Sequence, residues 1–326
     1  MKKIKATTKK LKNTILEKAL EMGFNSVGFT SAEALIESEK NMLAWREKGL
    51  AGDMDYLLRE NPINARPEEL LKGAKTIIAF TINYFTEAPP RPSPKHRRVA
   101  AYAVGLDYHK VIKKKLKQLV KNIEAEYEER GEESPFKNSR IFTDAVPLLE
   151  KSFARKAGLG FKGKNTMLIS KKNGSFNFIA EILTDIEIEP DPEISIHNEG
   201  NTCGTCTKCI DICPTDALIG DHQIDARKCI SYLTIENKGP IEDKYAKDIG
   251  EWLYGCDLCQ TICPYNSKVI ETPWEEFKAE SGVGHWLNTN EILSMTEEEF
   301  HEKFCRTPIT RAKLKGLQRN ALINTH

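Results

Sequence analysis

Apolar residues recur at helical spacing over residues 11–22 (LKNTILEKALEM), with Leu11, Ile15, Leu16 and Ala19 on one face and Gly23 placed to end the helix. Residues 26–30 (SVGFT) read as a short strand. Residues 75–85 (KTIIAFTINYF) read as the strongest strand of the chain, β-branched and aromatic almost throughout. A loop follows over 86–98, with four prolines and several basic residues. The pattern then predicts a long helix over 110–130, a strand over 140–143 and a helix over 147–157. Residues 167–170 and 176–183 read as a hairpin around Asn173-Gly174, a strong turn signal. Strands and helices thus alternate to about residue 185. A linker with Pro190, Pro192 and Gly200 comes next, then a cysteine-rich segment and a helical tail of mixed charge. The expected class is α+β: an N-terminal α/β domain over 1–188, a second domain over 189–270 and a helical C-terminal segment over 271–326.

Length supports this division, since 326 residues suit two domains at roughly 150 residues each. Charge changes the picture locally. The net charge is only +1, yet Lys2, Lys3, Lys5, Lys9, Lys10 and Lys12 precede the first acidic residue, Glu17. A second basic run lies within 110–121. Each run is either a solvated helix face or a contact for a polyanion. Lysines at the start of the 110–130 helix oppose its dipole, so the helix alone does not explain them. No secretory signal is read at the start, and no window approaches the roughly 18 apolar residues of a membrane span. A cytoplasmic protein with no membrane partner is expected. In that reducing setting, nine cysteines argue for metal ligation over disulfides.

Cys203, Cys206, Cys209 and Cys213 are spaced C-x2-C-x2-C-x3-C, and Pro214 follows. This is the run of bacterial ferredoxins. Three thiolates on a tight loop reach three irons of one cube, and the fourth points toward a second cluster. Cys256, Cys259 and Cys263 repeat part of the run, again before a proline, Pro264. A full second run needs a thiolate near residue 253, where the chain has Leu253; the isolated Cys229 can supply it. The expectation is two 4Fe-4S clusters in a ferredoxin-like domain. Cys203, Cys206, Cys209 and Cys263 hold one; Cys213, Cys229, Cys256 and Cys259 hold the other. Cys305 is left over. Two zinc sites would also use eight thiolates, but this spacing is not a zinc spacing.

Residues 158–165 (GLGFKGKN) match G-x-G-x-x-G and nearly match a P-loop. The dinucleotide motif needs a strand before it and a helix after it, whereas here a helix precedes and a strand follows. Asn165 also stands where a P-loop needs Ser or Thr. A glycine-ended helix and tight loop is the plain reading, with Lys162 and Lys164 available for a site. Asp107-Tyr108-His109 begins like the D-x-H-x-x-G box of His-ligated cobalamin proteins, but Ile112 occupies the glycine place. Asp144 ends a predicted strand between apolar neighbours. There it is either a helix cap or a desolvated acid with a raised pKa.

Together these residues resemble the epoxyqueuosine reductase family, in its shorter form. The resemblance is carried by Asp107-Tyr108-His109, Phe142-Thr143-Asp144, Pro147-Leu148-Leu149-Glu150-Lys151 and Gly163-Lys164-Asn165. It continues through the eight-cysteine layout with Cys229-Ile230-Ser231, then Gly255-Cys256-Asp257, and Gly316-Leu317-Gln318-Arg319-Asn320-Ala321. It implies a cobalamin, bound base-off, in the N-terminal domain, and reduction of epoxyqueuosine to queuosine in a tRNA anticodon loop. Asp144 would be the proton donor. Arg66, Asp107, His109, Asp144, Lys164, Ser231 and Asp257 would be the cofactor-binding residues. The chain departs from the pattern at Ala100, where some members carry a cysteine, and at Ala101, where many carry an arginine.

The chemistry is consistent. Opening an epoxide to an alkene needs two electrons and a proton for the departing oxygen. Clusters deliver electrons singly, and a cobalt cofactor can gather them. A reductive dehalogenase-like enzyme with the same cofactors is the first rival, and an electron-carrying ferredoxin-type protein the second. The carrier would not need some 200 residues before its clusters. A monomer served by an unidentified electron donor is expected.

Overall fold

A computed structural model describes residues 2–57, 66–144, 148–192, 203–220 and 222–323, with the side chains of 2–7 and Asp55 not described. In chain order the strands are β1 (Ser26–Ser31), β2 (Thr76–Asn83), β3 (His96–Val99), β4 (Ser139–Phe142), β5 (Phe161–Lys162), β6 (Leu168–Ile169), β7 (Asn177–Thr184), β8 (Trp252–Tyr254) and β9 (Trp286–Asn288). The helices are α1 (Lys2–Glu21), α2 (Ile36–Glu47), α3 (Pro67–Leu70), α4 (Tyr108–Glu129), α5 (Glu150–Lys156) and α6 (Lys208–Asp211). They continue with α7 (Ile230–Ile235), α8 (Asp243–Ala246), α9 (Leu258–Thr261), α10 (Thr289–Ser294), α11 (Glu297–Phe304) and α12 (Lys313–Leu322).

The main sheet has the order β1-β2-β7-β4, antiparallel throughout. Its central strand β2 is buried along its whole length, which is why its sequence is a near-continuous apolar run. One face carries α1 and α4. Ile112, Leu116, Leu119 and Ile123 of α4 repeat every three or four residues and pack with Ile15, Phe29 and Phe80. The other face carries α5, with Phe153 against Ile77, Phe142 and Leu183. Asp107 caps α4 by accepting a hydrogen bond from the His109 N–H at 3.1 Å, placing a negative charge at the otherwise basic start of the helix.

The predicted hairpin does not form as such. Asn173-Gly174 does make a tight turn, with a bridge between Ser170 and Gly174 and Gly174 at φ +66°. Yet β7 lies inside the sheet, with β2 on one side and β4 on the other. Both its hydrogen-bonding edges are taken, so β6 pairs with β5 instead.

A second sheet, β8-β3-β9, draws one strand from each of the segments 1–188, 189–270 and 271–326. The tail is therefore not helical alone. Its helices bury Ile292, Phe304 and Leu317 in a core shared with Val99, Val104 and Leu253. The G-L-x-R-N-A stretch has a local reason. Arg319 donates to the carbonyls of Leu233 (2.7 Å), Asn237 (2.6 Å) and Gly239 (2.7 Å), where α7 leaves orphan acceptors. Asn320 donates to the buried carbonyls of Thr234 (2.7 Å) and Leu253 (2.9 Å). Among the described residues no helix is long and apolar enough to cross a membrane.

Candidate functional site

Two sets of groups stand out, one suited to protons and one to electrons, and the charge of Lys151 acts on members of both, Asp144 and Cys259. The first lies where β4 ends. Asp144 takes a left-handed conformation, φ +47°, costly for a non-glycine residue and kept only where the surroundings hold it. Its backbone N–H donates to Glu150 Oε1 at 2.6 Å. Its carboxylate receives the Tyr108 hydroxyl, and His109 Nε2 lies 3.6 Å away. Both contacts reach Oδ2, and the side chain is 64% exposed. Tyr108 is held between the His109 ring (centroids 4.0 Å apart) and the Phe178 ring (4.3 Å). His109 Nδ1 lies 2.7 Å from Asp107 Oδ1. Thus Asp107-Tyr108-His109, at the start of α4, aims its second and third side chains at Asp144.

Neither reading of Asp144 from its position describes it. It does not cap α5, whose N-cap is Leu149 with no side-chain bond. Nor is its pKa raised. Burial pushes it up, but the bonds from His109 and Tyr108, together with the charges of His109 and Lys151, hold the carboxyl below its usual range. The groups that reverse the sign come from distant sequence. The proton sits instead on His109: burial opposes it, yet Asp107 and Asp144 hold the imidazolium up to about 9. That raised value makes the ion pair a stabilising contribution, full below about 6.5 and lost as pH rises through about 9.

Two acids behind Asp144 are protonated at neutral pH. Burial, then the Asp144 charge, pushes Glu150 up to about 8. Glu181 is fully buried in β7, and neither carboxyl oxygen has a hydrogen-bond partner. Burial and the charges of Glu150 and Asp144 raise it well above the carboxylate range. The sequence signal was present, a lone charge in the apolar strand FIAEILT.

The second set is the cysteines. Cys203, Cys206, Cys209 and Cys263 line one cavity of about 100 Å³ together with Lys164. Burial raises the pKa of Cys229, Cys256 and Cys259; Cys213 adds to it at Cys229, Cys229 and Cys259 at Cys256, and Cys229, Cys209 and Cys213 at Cys259. Among the described residues no three His, Cys, Asp or Glu side chains converge as a single ion would require. The thiols surround a volume instead. The N–H groups of Ser231 and Tyr232 point at the Cys229 sulfur and lower its pKa against burial. Asp257 is buried, accepts the Ala101 N–H at 2.7 Å and is pushed up to about 6 by burial. Ala100 lies against Gly255, where an added Cβ would come within 2.5 Å of its own.

The remaining site candidates are placed elsewhere. Arg66 forks onto Glu39 at 3.2 and 3.3 Å and stays half exposed. Lys164 Nζ donates to the carbonyls of Gly204 (2.9 Å) and Cys206 (3.0 Å). In the proline-rich loop, Arg91 is spent on the carbonyls of Pro94 and His96. Arg98 pairs with Glu251 between the Trp252 and Trp286 rings. On α4, Lys113, Lys114 and Lys117 are exposed, while Lys115 pairs with Glu276 at 3.3 Å. Pro147 and the residues between 193 and 202 lie outside the described residues.

Comparison with known proteins gives these features a context. Residues 65–145 match the family model described as epoxyqueuosine reductase QueG, DUF1730, and residues 202–266 match a 4Fe-4S double cluster binding domain. The chain is 40% identical over 302 residues to the epoxyqueuosine reductase of Leadbetterella byssophila, covering 93% of this chain and 94% of that one. It is 39% identical to that of Vibrio cholerae, over 96% of this chain and 82% of that one. An epoxyqueuosine reductase crystallised with an epoxyqueuosine-modified tRNA stem loop superposes with a TM-score of 0.84 at 30% identity, over 97% of this chain and 81% of that one. The Streptococcus thermophilus epoxyqueuosine reductase gives 0.82 at 32% identity, over 96% and 80%.

The geometry predicts that His109 titrates near pH 9 by NMR. In Asp144→Asn its pKa falls by roughly one unit or more, because one of two carboxylates holding the cation is gone. An unchanged His109 pKa in that variant would separate the two residues.

Proposed function

We propose that this chain, which belongs to the epoxyqueuosine reductase family, reduces the epoxide of epoxyqueuosine in tRNA to the alkene of queuosine, with Asp144 handing over the proton. The observation that carries the reading is the exposed Asp144 carboxylate, hydrogen-bonded by Tyr108 and ion-paired with His109. Overall the reaction takes up two electrons and two protons and releases water. The pair of Asp144 and His109 holds one proton at neutral pH, and Oδ1 of Asp144, bonded by no described residue, is the atom available to the departing oxygen. As that oxygen gains charge, a proton passes from His109 through Asp144. Tyr108 holds the carboxylate in place. Glu150 and Glu181, both protonated, keep further negative charge out of the cleft floor.

The family's cobalamin, when bound, supplies a strong cobalt nucleophile that collects two electrons. The residues present fit such a group. His109 directs both ring nitrogens at carboxylates, 2.7 Å to Asp107 and 3.6 Å to Asp144, so it offers no lone pair to cobalt, as base-off binding without a histidine ligand requires. Arg66, Ser231 and Asp257 are the residues by which the family pattern would hold it, with Asp107, His109 and Asp144 facing it. The thiol grouping supports two 4Fe-4S clusters as the source of electrons. The clustered, half-buried thiols are a donor set suited to iron. For tRNA, the exposed lysines of α4 are suited to phosphate contact, and a modified base reaches a recessed site most easily from a single-stranded loop.

Two experiments test this reading. Asp144→Asn is expected to bind cobalamin as the parent does yet turn over epoxyqueuosine tRNA at least ~100-fold more slowly, the size of a general-acid contribution. Near-normal turnover would remove Asp144 from the chemistry. Anaerobic reconstitution is expected to give about eight irons per chain. Cys229→Ala should lose about four of them and Cys305→Ala none. A full iron count in the Cys229 variant would overturn the ligand grouping.

A further inference from the structure

The G-K-N loop that resembles a phosphate loop grips the cysteine loops. Lys164 Nζ donates to the carbonyls of Gly204 and Cys206, inside the first cysteine run, at 2.9 and 3.0 Å. The next residue, Asn165, donates from Nδ2 to the carbonyl of Cys259, in the second run, at 3.1 Å, and is itself buried. A clamp on carbonyls needs only a neutral donor, as Asn165 shows. Lys164 brings a full positive charge as well, and the side chain lines the cavity surrounded by Cys203, Cys206, Cys209 and Cys263. Among the described residues no acidic side chain lines that cavity, while Lys208 adds a second, exposed ammonium. The other thiol group differs: Asp257 stands beside Cys256, buried.

We propose that Lys164 is an electrostatic tuning residue, whose ammonium, fixed on the carbonyls of Gly204 and Cys206, raises the reduction potential of the cluster held by Cys203, Cys206, Cys209 and Cys263. The inference rests on the ligand grouping given above. A cube with four thiolates is anionic and gains one more negative charge on reduction. A cation held close by stabilises the reduced form more than the oxidised one. Lys208, exposed and screened by water, contributes less. The cluster beside Lys164 is then the more readily reduced of the two.

The test is an EPR-monitored redox titration of the reconstituted holoprotein, with the signal of the other cluster as internal reference. Lys164→Gln and Lys164→Met should each move the midpoint of the first cluster to more negative potential and leave the second nearly unmoved. Lys164→Arg should stay near the parent, and Lys208→Gln should move the first cluster less than Lys164→Gln. Three results overturn the proposal: an unmoved midpoint in both neutral variants, an equal shift of both clusters, or an arginine variant shifted as far as the glutamine one. If neither neutral variant assembles the first cluster, Lys164 is a scaffold clamp and the proposal also falls. A parent protein that assembles only one cluster would instead overturn the ligand grouping.

Discussion

The structure depends on one constraint: the short loops that carry the two cysteine runs must be held in place by the rest of the chain. Helices α6 and α9 are four residues long, and neither buries an apolar side chain. Hydrogen bonds from the α/β part do the holding. Lys164 and Asn165 take carbonyls of the two runs. Ser175, at the start of the stretch leading into β7, bonds Gln260 and Asn266, and Tyr84 after β2 also bonds Gln260. The cysteine loops are thus set by the strands that also position Asp144, and electron and proton machinery share one scaffold. A small metal-binding segment ordinarily gains its stability from the metal; here it gains part of it from its neighbour.

The proton side follows a second rule, that titratable groups placed together push one another's pKa apart. The Asp144 charge raises Glu150 and Glu181, so the three do not all ionise together. The acid that His109 and Tyr108 reach keeps its charge, while at Glu150 burial and the Asp144 charge outweigh His109 and Lys151, and at Glu181 burial and the two other carboxyls dominate. A carboxyl with no hydrogen-bond partner inside a central strand costs stability. Its place beside Asp144, the proposed proton donor, is where such a cost is expected to be tolerated.

Much of this was legible in the sequence, and the failures have physical causes. The helix over 11–22 and the strand at 75–85 stood out because their apolar periodicity is strong. Helix α1 starts nine residues earlier, through lysines that carry no apolar pattern. Helix α2 was not seen, since its apolar residues follow no face and only Glu39 is buried. The hairpin failed because local turn chemistry cannot reveal that β7 has both edges occupied. The 4Fe-4S character of the cysteine runs could be read because ligand spacing is a local property. The state of Asp144 could not, because His109 lies 35 positions away and its effect depends on where α4 begins. Arg319-Asn320 was visible as a motif, while its use, capping α7, needed the fold.

The central claim is that this scaffold reduces epoxyqueuosine in tRNA through Asp144. The most direct measurement is mass spectrometry of tRNA nucleosides from cells lacking the protein, with and without plasmid-borne copies. Epoxyqueuosine should accumulate and queuosine disappear; the parent copy should restore queuosine, and the Asp144→Asn copy should not. Undiminished queuosine in the deletion strain, or full restoration by Asp144→Asn, would contradict the account.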